Sequence, residues 1–470
     1  MIALTGWLAL AHAVEVTPSG ELRLIESMPS VWALDADGRT TEWGPSLDTR
    51  ARLGIAAEDG PVRGGAEVDV LSGQIAGATW GLSSLDERGR DLRDALSADG
   101  VALRKLYVGA RLPIMDVEAG VVTSHWGLGL VANDGAHDTE FGRVDFGDRV
   151  ARLRLATQPF GEDVPFLVAV MGDRVLADEL ARQSEGDDAW QAVAGALWRG
   201  ETEELGLYGV VRRQTNAEGR FVRVQVADLY GRIERPIDDD WTFHAALEGA
   251  AIVGRTDISR TLTAVDGVAV RSGGGLARAS AEHERGRGVL MLAYASGDRT
   301  PDDEVLSDFR MDRDANVGLV MFDEVLGAID LEAIEAASDP EVSAVPTEGV
   351  ENLAAEGAVR SAFAVHPVGA VRPFPWLELK LGGVFAWATG PIAHPVESFR
   401  NGGVPTNHLG RPTTGRYLGT ELDWAIGSVA PDTTLRPSVE LQAGHAWLSA
   451  DFSGGVKRVD HLLLAGRLRW

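Results

Sequence analysis

The chain has 470 residues, 45% of them hydrophobic, with a formal charge of −26, 56 glycines, 13 tryptophans and no cysteine. It contains no apolar run of the roughly 18 residues that a spanning helix needs, which excludes a helical membrane protein. The acidity and the dispersed basic residues argue against nucleic acid as a partner. The absence of cysteine excludes disulfides, thiolate metal sites and a cysteine nucleophile.

In chain order, the opening MIALTGWLALAHAVEV has a short apolar core over residues 2–10, followed by Ala11-His12-Ala13, the small-x-small pattern of signal cleavage. Residues 1–13 are therefore expected to be a signal peptide, although a basic start is missing, and 14–470 the exported domain. Beyond residue 20 the dominant pattern is period-2 alternation in segments of about 9 to 15 residues, the length with which a tilted strand crosses a bilayer. In 46–57, Leu47, Thr49, Ala51, Leu53 and Ile55 share one face against Asp48, Arg50, Arg52 and Gly54. The same split recurs in Leu377, Leu379, Leu381, Phe385 and Trp387 against Glu378, Lys380 and Gly382, and in Leu418, Thr420, Leu422, Trp424 and Ile426 against Tyr417, Gly419, Glu421, Asp423 and Ala425. A soluble sandwich also alternates, so the connections have to decide.

Strands are expected at 20–27, 47–57, 62–72, 102–112, 116–124, 149–158, 164–172, 189–199, 204–214, 219–231, 240–253, 270–284, 288–297, 357–367, 375–388, 417–428, 434–449 and 459–470. Even-numbered strands are followed by tight turns such as Glu58-Asp59-Gly60-Pro61 and Pro113-Ile114-Met115-Asp116, rich in turn formers. Odd-numbered strands are mostly followed by long polar loops, including 28–46, 73–101, 125–148, 298–356 and 389–416; short ones near Asn216 and Ser453 are exceptions. Tight turns on one side and long loops on the other predict an all-β fold, a transmembrane antiparallel barrel of about 18 strands with both termini on the periplasmic side. Residues 317–326 (VGLVMFDEVL) could add a strand, but read better as an apolar part of loop 298–356 folding into or over the pore, with a short helix at 331–337. The last strand alternates Leu462, Leu464, Gly466, Leu468 and Trp470. Its terminal aromatic suits a closing strand at the membrane interface and marks the barrel-assembly machinery and outer-membrane lipid as partners.

If the apolar faces meet lipid, the opposite faces line a lumen. The expected pore-lining residues are Arg50, Arg52, Glu67, Asp69, Lys105, Arg111, Glu118, Arg152, Arg154, Glu248, Arg278, Glu378, Lys380, Glu421, Asp423, Glu440, Arg467 and Arg469, and by the same logic Asp48, Arg223, Glu282 and Arg360. Rings of charge select solutes, whereas cross-strand neutralisation would merely hold the wall together. Further acidity is concentrated in loops, with Asp302, Asp303, Glu304, Asp308, Asp312 and Asp314 in one, and Asp134, His137, Asp138, Glu140, Asp145 and Asp148 in another. The second set offers oxygen ligands for calcium but lacks the 12-residue calcium-loop spacing, so a solvated loop is expected and no metal or cofactor is assigned. No nucleophile elbow, zinc-protease pair or phosphate-binding loop is present, so no catalytic residue is assigned and the chain is not expected to be an enzyme.

Four patches carry a family resemblance: Ser124-His125-Trp126-Gly127; Ala293-Tyr294-Ala295-Ser296-Gly297-Asp298; Tyr417-Leu418-Gly419-Thr420-Glu421-Leu422-Asp423-Trp424; and Val439-Glu440-Leu441-Gln442-Ala443-Gly444. They resemble the W-G, A-S-G-D, G-x-E-L-D and L-x-x-G motifs of alginate-export-type outer-membrane porins. The resemblance implies an 18-stranded barrel with a lumen for an acidic polysaccharide. The cargo is not carried over, because arginine here is nearly balanced by Glu and Asp, whereas a polyanion calls for a cationic lumen. The expected function is passive passage of small polar solutes or saccharides across the bacterial outer membrane. The alternative is a plugged barrel whose acidic extracellular loops bind a partner or divalent cations, and a secreted soluble β-protein is a third reading.

Overall fold

Alternation with turn formers at each break folds the chain into one continuous sheet. The computed structural model describes residues 14–41, 44–77, 99–144, 147–260, 264–300, 303–338, 355, 357–428 and 433–470. The leader expected at 1–13 lies outside the described residues. The first nine strands are β1 Glu15–Pro29, β2 Ser46–Asp59, β3 Val62–Gly77, β4 Asp99–Arg111, β5 Asp116–Thr123, β6 Arg149–Thr157, β7 Phe166–Ala177, β8 Asp188–Arg199 and β9 Glu203–Thr215. The chain continues through β10 Phe221–Pro236, β11 Thr242–Thr256, β12 Val268–His283, β13 Gly286–Ala295, β14 Val305–Leu306, β15 Ala362–Phe374, β16 Leu377–Ala388, β17 Tyr417–Ser428, β18 Arg436–Leu448 and β19 Val459–Arg469.

Eighteen of these pair antiparallel with their chain neighbours, and β19 closes onto β1 from Glu21 opposite Arg469 to Pro29 opposite His461. The two-residue β14 instead runs parallel to the start of β12, within the loop joining β13 to β15. Every wall strand expected from sequence is present, with most ends shifted by one to five residues. Residues 317–326 add none: Met321–Leu326 form a π-helical turn running into the helix α1, Gly327–Ser338, so the helix starts earlier than expected.

Outward side chains include Leu53 and Ile55, Leu106 and Val108, Leu205 and Leu207, and Leu422 and Ile426, all exposed. An exposed apolar belt around a closed sheet is a surface for hydrocarbon, and closure pairs every backbone group that a bilayer could not solvate. Exposed aromatics gather at both rims. Phe160, Trp198, Trp241, Phe374, Trp376 and Trp470 lie at the short-turn end, while Trp190, Tyr294, Trp387, Tyr417 and Trp447 lie at the long-loop end. Two such girdles are what the interfaces of a membrane barrel select.

Candidate functional site

The wall is too wide for its own side chains to fill, and two inward loops occupy much of it. In residues 309–338 of the β13–β15 loop, Phe309, Met311, Val320, Met321, Phe322 and Val325 are at most 1% exposed. They rest on the lumenal face: Phe309 over Gly274, Val320 over Gly444 and Met321 over Gly419 leave no room for a Cβ at those glycines. The other loop, 124–148, joins β5 to β6 and crosses the lumen. It is held by Arg104 of β4 through the Asp134 carbonyl (2.8 Å), Arg23 of β1 through the Val144 carbonyl (2.5 Å), Gln442 of β18 through the Gly142 amide (2.8 Å) and Lys380 of β16 through the Glu140 carbonyl (2.8 Å). The two loops meet where the Asp312 amide donates to Leu130 O (2.8 Å) and Asn316 Nδ2 to Phe141 O (3.3 Å). Sequence pointed to the first loop as a constriction; the second contributes just as directly.

Buried wall carboxylates pin these loops. Glu421 on β17 accepts the amides of Leu319 (2.6 Å), Val320 (2.8 Å) and Met321 (2.6 Å). Glu248 on β11 accepts those of Leu128 and Leu130, and the neighbouring Asp228 accepts Trp126 Nε1 at 2.9 Å. Backbone donors are what make an unpaired buried carboxylate tolerable. Gly127 (φ +57°) and Gly318 (φ +78°) are left-handed where a Cβ would also strike Glu248 or Glu421, so both pins require glycine beside them. Asp423 is fully buried between Glu421 and Gly444. The family-like patches are thus the loop attachments: Trp126-Gly127 and Glu421 are pins, Gly444 makes room for Val320, and the Ser296 hydroxyl donates to Ser307 O (2.7 Å) as the long loop leaves β13.

The remaining expected wall residues also project from the face opposite the apolar belt, mostly in pairs. Arg50 meets Glu21 at 2.6 Å, and Arg52 forks onto Asp69 at 2.7 and 2.9 Å. Glu67 lies 3.5 Å from both Arg104 and Lys105, Glu118 is 3.0 Å from Arg63, and Arg154 is 2.9 Å from Asp116. Arg152 forks onto Asp173 at 2.8 Å, while Arg111 stands opposite Asp116 at the short-turn end. Arg467 and Arg469 reach Asp138 at 2.6 and 3.0 Å. On the β12–β18 side of the wall Arg278 meets Glu140 (2.6 Å), Glu378 meets Arg287 and Arg372 (2.9 Å each) and Lys380 meets Glu440 (2.5 Å). Asp48 meets Arg143 at 3.2 Å, and Glu282 accepts the Ser280 hydroxyl at 3.0 Å.

Two expectations fail. Arg223 points outward, in register with the equally exposed Arg213 and Arg255. At the start of β10 the apolar face is the inner one, because Val222, Val224 and Val226 line a cavity beneath the loops, while further along Leu229 and Ile233 face outward as expected. Arg360 precedes β15 and is a loop anchor paired with Asp308 and Asp330. Alternation missed Arg104, the extra residue of a bulge where Glu67 and Val68 oppose Lys105 and Leu103. Arg23, between Leu22 and Leu24, carried a readable signal.

The acidic stretch 134–148 is neither a solvated loop nor one calcium loop. Asp134 pairs with His137 at 3.1 Å; burial would raise its carboxyl, but that bond and the charges of His125 and His137 hold it at about 2. Burial would likewise raise Asp138, and Arg467 and Arg469 more than offset it. Glu140 is buried between arginines, Asp145 is outside the described residues, and Asp148 faces other loops. Among the described residues the loops leave openings against the inner wall. One, of about 120 Å³, lies between loop residues 135–144 and Glu21, Arg23, Arg50, Arg52, Arg467 and Arg469; another, of about 260 Å³, lies on the β8–β12 side beside Asp148, Glu179 and Asp312.

No protein-family model and no curated protein matches the chain. Solved structures do. Pseudomonas aeruginosa OpdK with vanillate aligns at TM-score 0.52 and 13% identity, over 96% of this chain and 98% of that one. P. aeruginosa OccK2 (OpdF) in complex with glucuronate aligns at 0.54 and 13%, over 97% and 98%. P. aeruginosa OccD3 (OpdP) aligns at 0.53 and 10%, over 97% and 91%. At such identities the likeness is one of architecture, and the chain has the fold of an eighteen-stranded outer-membrane porin barrel.

Proposed function

We propose that the chain is a bacterial outer-membrane channel through which small polar solutes diffuse passively, those bearing a carboxylate in preference, along the arginine-lined side of the lumen. The observation that carries this reading is the row Arg467, Arg23 and Arg50, which stand directly opposite one another on β19, β1 and β2 at the edge of the 120 Å³ gap. Like charges in register weaken a sheet; Glu21 and Asp138 meet Arg50 and Arg467 there, yet five arginines line the gap against these two acids, and planar guanidinium forks suit carboxylates. The vanillate and glucuronate of the two similar barrels each bring a carboxylate, which supports the same solute class. The apolar belt and aromatic girdles support residence in the outer membrane, and the paired C-terminal strand ending in Trp470 supports handling by the barrel-assembly machinery. The leader-like residues 1–13 support export. Membership of the alginate-export group rests on the four motifs, which here attach loops; alginate itself is not the proposed cargo, since most wall arginines already face a carboxylate.

The test is single-channel recording in planar bilayers under a salt gradient. Wild-type protein is expected to conduct with anion preference, and Arg23→Gln with Arg467→Gln to lower that preference several-fold while assembly is retained. An absence of current from assembled protein would sink the channel and leave the plugged barrel with ligand-binding acidic loops.

A further inference from the structure

Three carboxylates from three separate connections converge beside the 260 Å³ cavity. Asp148 ends loop 124–148, Glu179 lies in the β7–β8 connection, and Asp312 lies in the long β13–β15 loop. One oxygen from each lies within 4.8 Å of the others. Asp148 and Asp312 are 8% and 5% exposed, and Asp148 Oδ1 and Asp312 Oδ2 have no hydrogen-bond partner among the described residues. Both are held in place from behind: the Asp148 amide donates to Asn133 O (2.9 Å), the Asp312 amide to Leu130 O (2.8 Å), and Asp312 Oδ1 accepts the Asp314 amide (2.9 Å). The nearby Arg212 forks onto Asp178 and Gln214. Arg310 also lines the cavity, and its Nη2 donates to the Glu179 backbone carbonyl (3.3 Å).

We propose that Asp148, Glu179 and Asp312 bind one divalent cation, calcium, which clips the two inward loops to the β7–β8 connection. The donors are all hard oxygens with no His or Cys, which suits calcium over zinc. Calcium takes oxygens at about 2.3–2.6 Å, so two of its ligands stand up to about 5 Å apart, and the observed spread falls within that reach. The adjoining cavity leaves room for the waters that complete a shell of six to eight, whereas magnesium demands a tighter octahedron. The clip adds to the hydrogen bonds and apolar packing through which the two inward loops already meet, and ties both to a third connection, so the cation sets the shape of the constriction independently of which solute passes.

The experiment uses the full-length barrel, purified in detergent and stripped with chelator, with calcium chloride in titration calorimetry and terbium luminescence competed by calcium. One saturable site is expected, together with a rise in thermal stability on adding calcium. Asp148→Asn with Asp312→Asn is expected to lower calcium affinity by more than about tenfold. This variant should still assemble, because amides keep the shape and remove repulsion, and assembly is read from the mobility shift between heated and unheated samples. If it does not assemble, Glu179→Gln alone makes the same test at a partly exposed ligand. Asp134→Asn, in the separate His125–Asp134–His137 group, should leave binding unchanged. No saturable binding by wild-type protein, or equal binding by the double variant, would overturn the proposal, as would loss of binding through Asp134→Asn alone.

Discussion

Glu421 shows how a single carboxylate organises the lumen. Alternation identifies it as inward, yet its three acceptor contacts are to amides about 100 positions earlier in the chain, which no local pattern encodes. Glu421→Ala leaves those donors unsatisfied at about 1–3 kcal/mol each as an upper bound. The expected result is a released loop, seen as larger and noisier single-channel currents with the barrel still assembled; Glu421→Gln, with one acceptor oxygen, should fall between. A second residue ties the same loop to pH. Glu324 faces His461 of β19 at 3.1 Å and lies near Arg143 and Asp323, and burial raises its carboxyl to about 7, partly offset by Arg143. A raised carboxyl favours the docked loop while protonated, so that contribution is full at low pH and is lost as pH rises from about 4.5 through 7. It amounts to about 3 kcal/mol at most. Conductance should therefore rise between pH 5 and pH 8 in wild type and rise less in Glu324→Gln, where Asp323 and Asp312 still titrate; an unchanged slope in the variant would count against Glu324.

At the scale of elements, the seam between β1 and β19 closes the barrel on a tight contact. Gly20 and Trp470 exchange backbone hydrogen bonds at 3.0 Å in both directions, and a Cβ on Gly20 would lie 2.2 Å from the indole. Gly20→Leu should displace the ring and weaken closure by about 1–3 kcal/mol, visible as a lowered melting temperature and a larger unassembled fraction in unheated gels. The strand pattern itself was legible because a two-residue period leaves little freedom once one face is apolar. It misled at β10, where Val222, Val224 and Val226 face a cavity under the loops and Arg223 takes the outer side. It was also blind to Arg104, since a bulge inserts one residue without breaking the apolar rhythm.

Over the whole molecule, the lumen is asymmetric. At the gap beside β19, β1 and β2 five arginines outnumber the two acids Glu21 and Asp138, whereas Asp228, Glu248 and Glu421 are spent on loop attachment. Deleting residues 309–338 should raise conductance several-fold, the remaining loop still crossing the lumen. Because the loops touch through Asp312–Leu130 and Asn316–Phe141, releasing both, by that deletion and Glu248→Gln, should change conductance by more than the product of the separate effects. A strictly multiplicative result would mean the loops act independently.

Strand number, hairpin order, the closing strand and the face of the sheet on which most charges lie are legible in the chain, because they follow from periodicity, turn chemistry and parity within each segment. That the W-G and G-x-E-L-D patches are loop pins, that loop 124–148 folds against the inner wall beside the long loop, and that Asp148 meets Glu179 and Asp312 emerges only from the folded chain. The physical reason is range. A strand's faces are set by adjacent residues, whereas the lumen is filled by loops whose partners lie one hundred or more positions away, and backbone amides, the donors that matter there, are the same in every residue but proline.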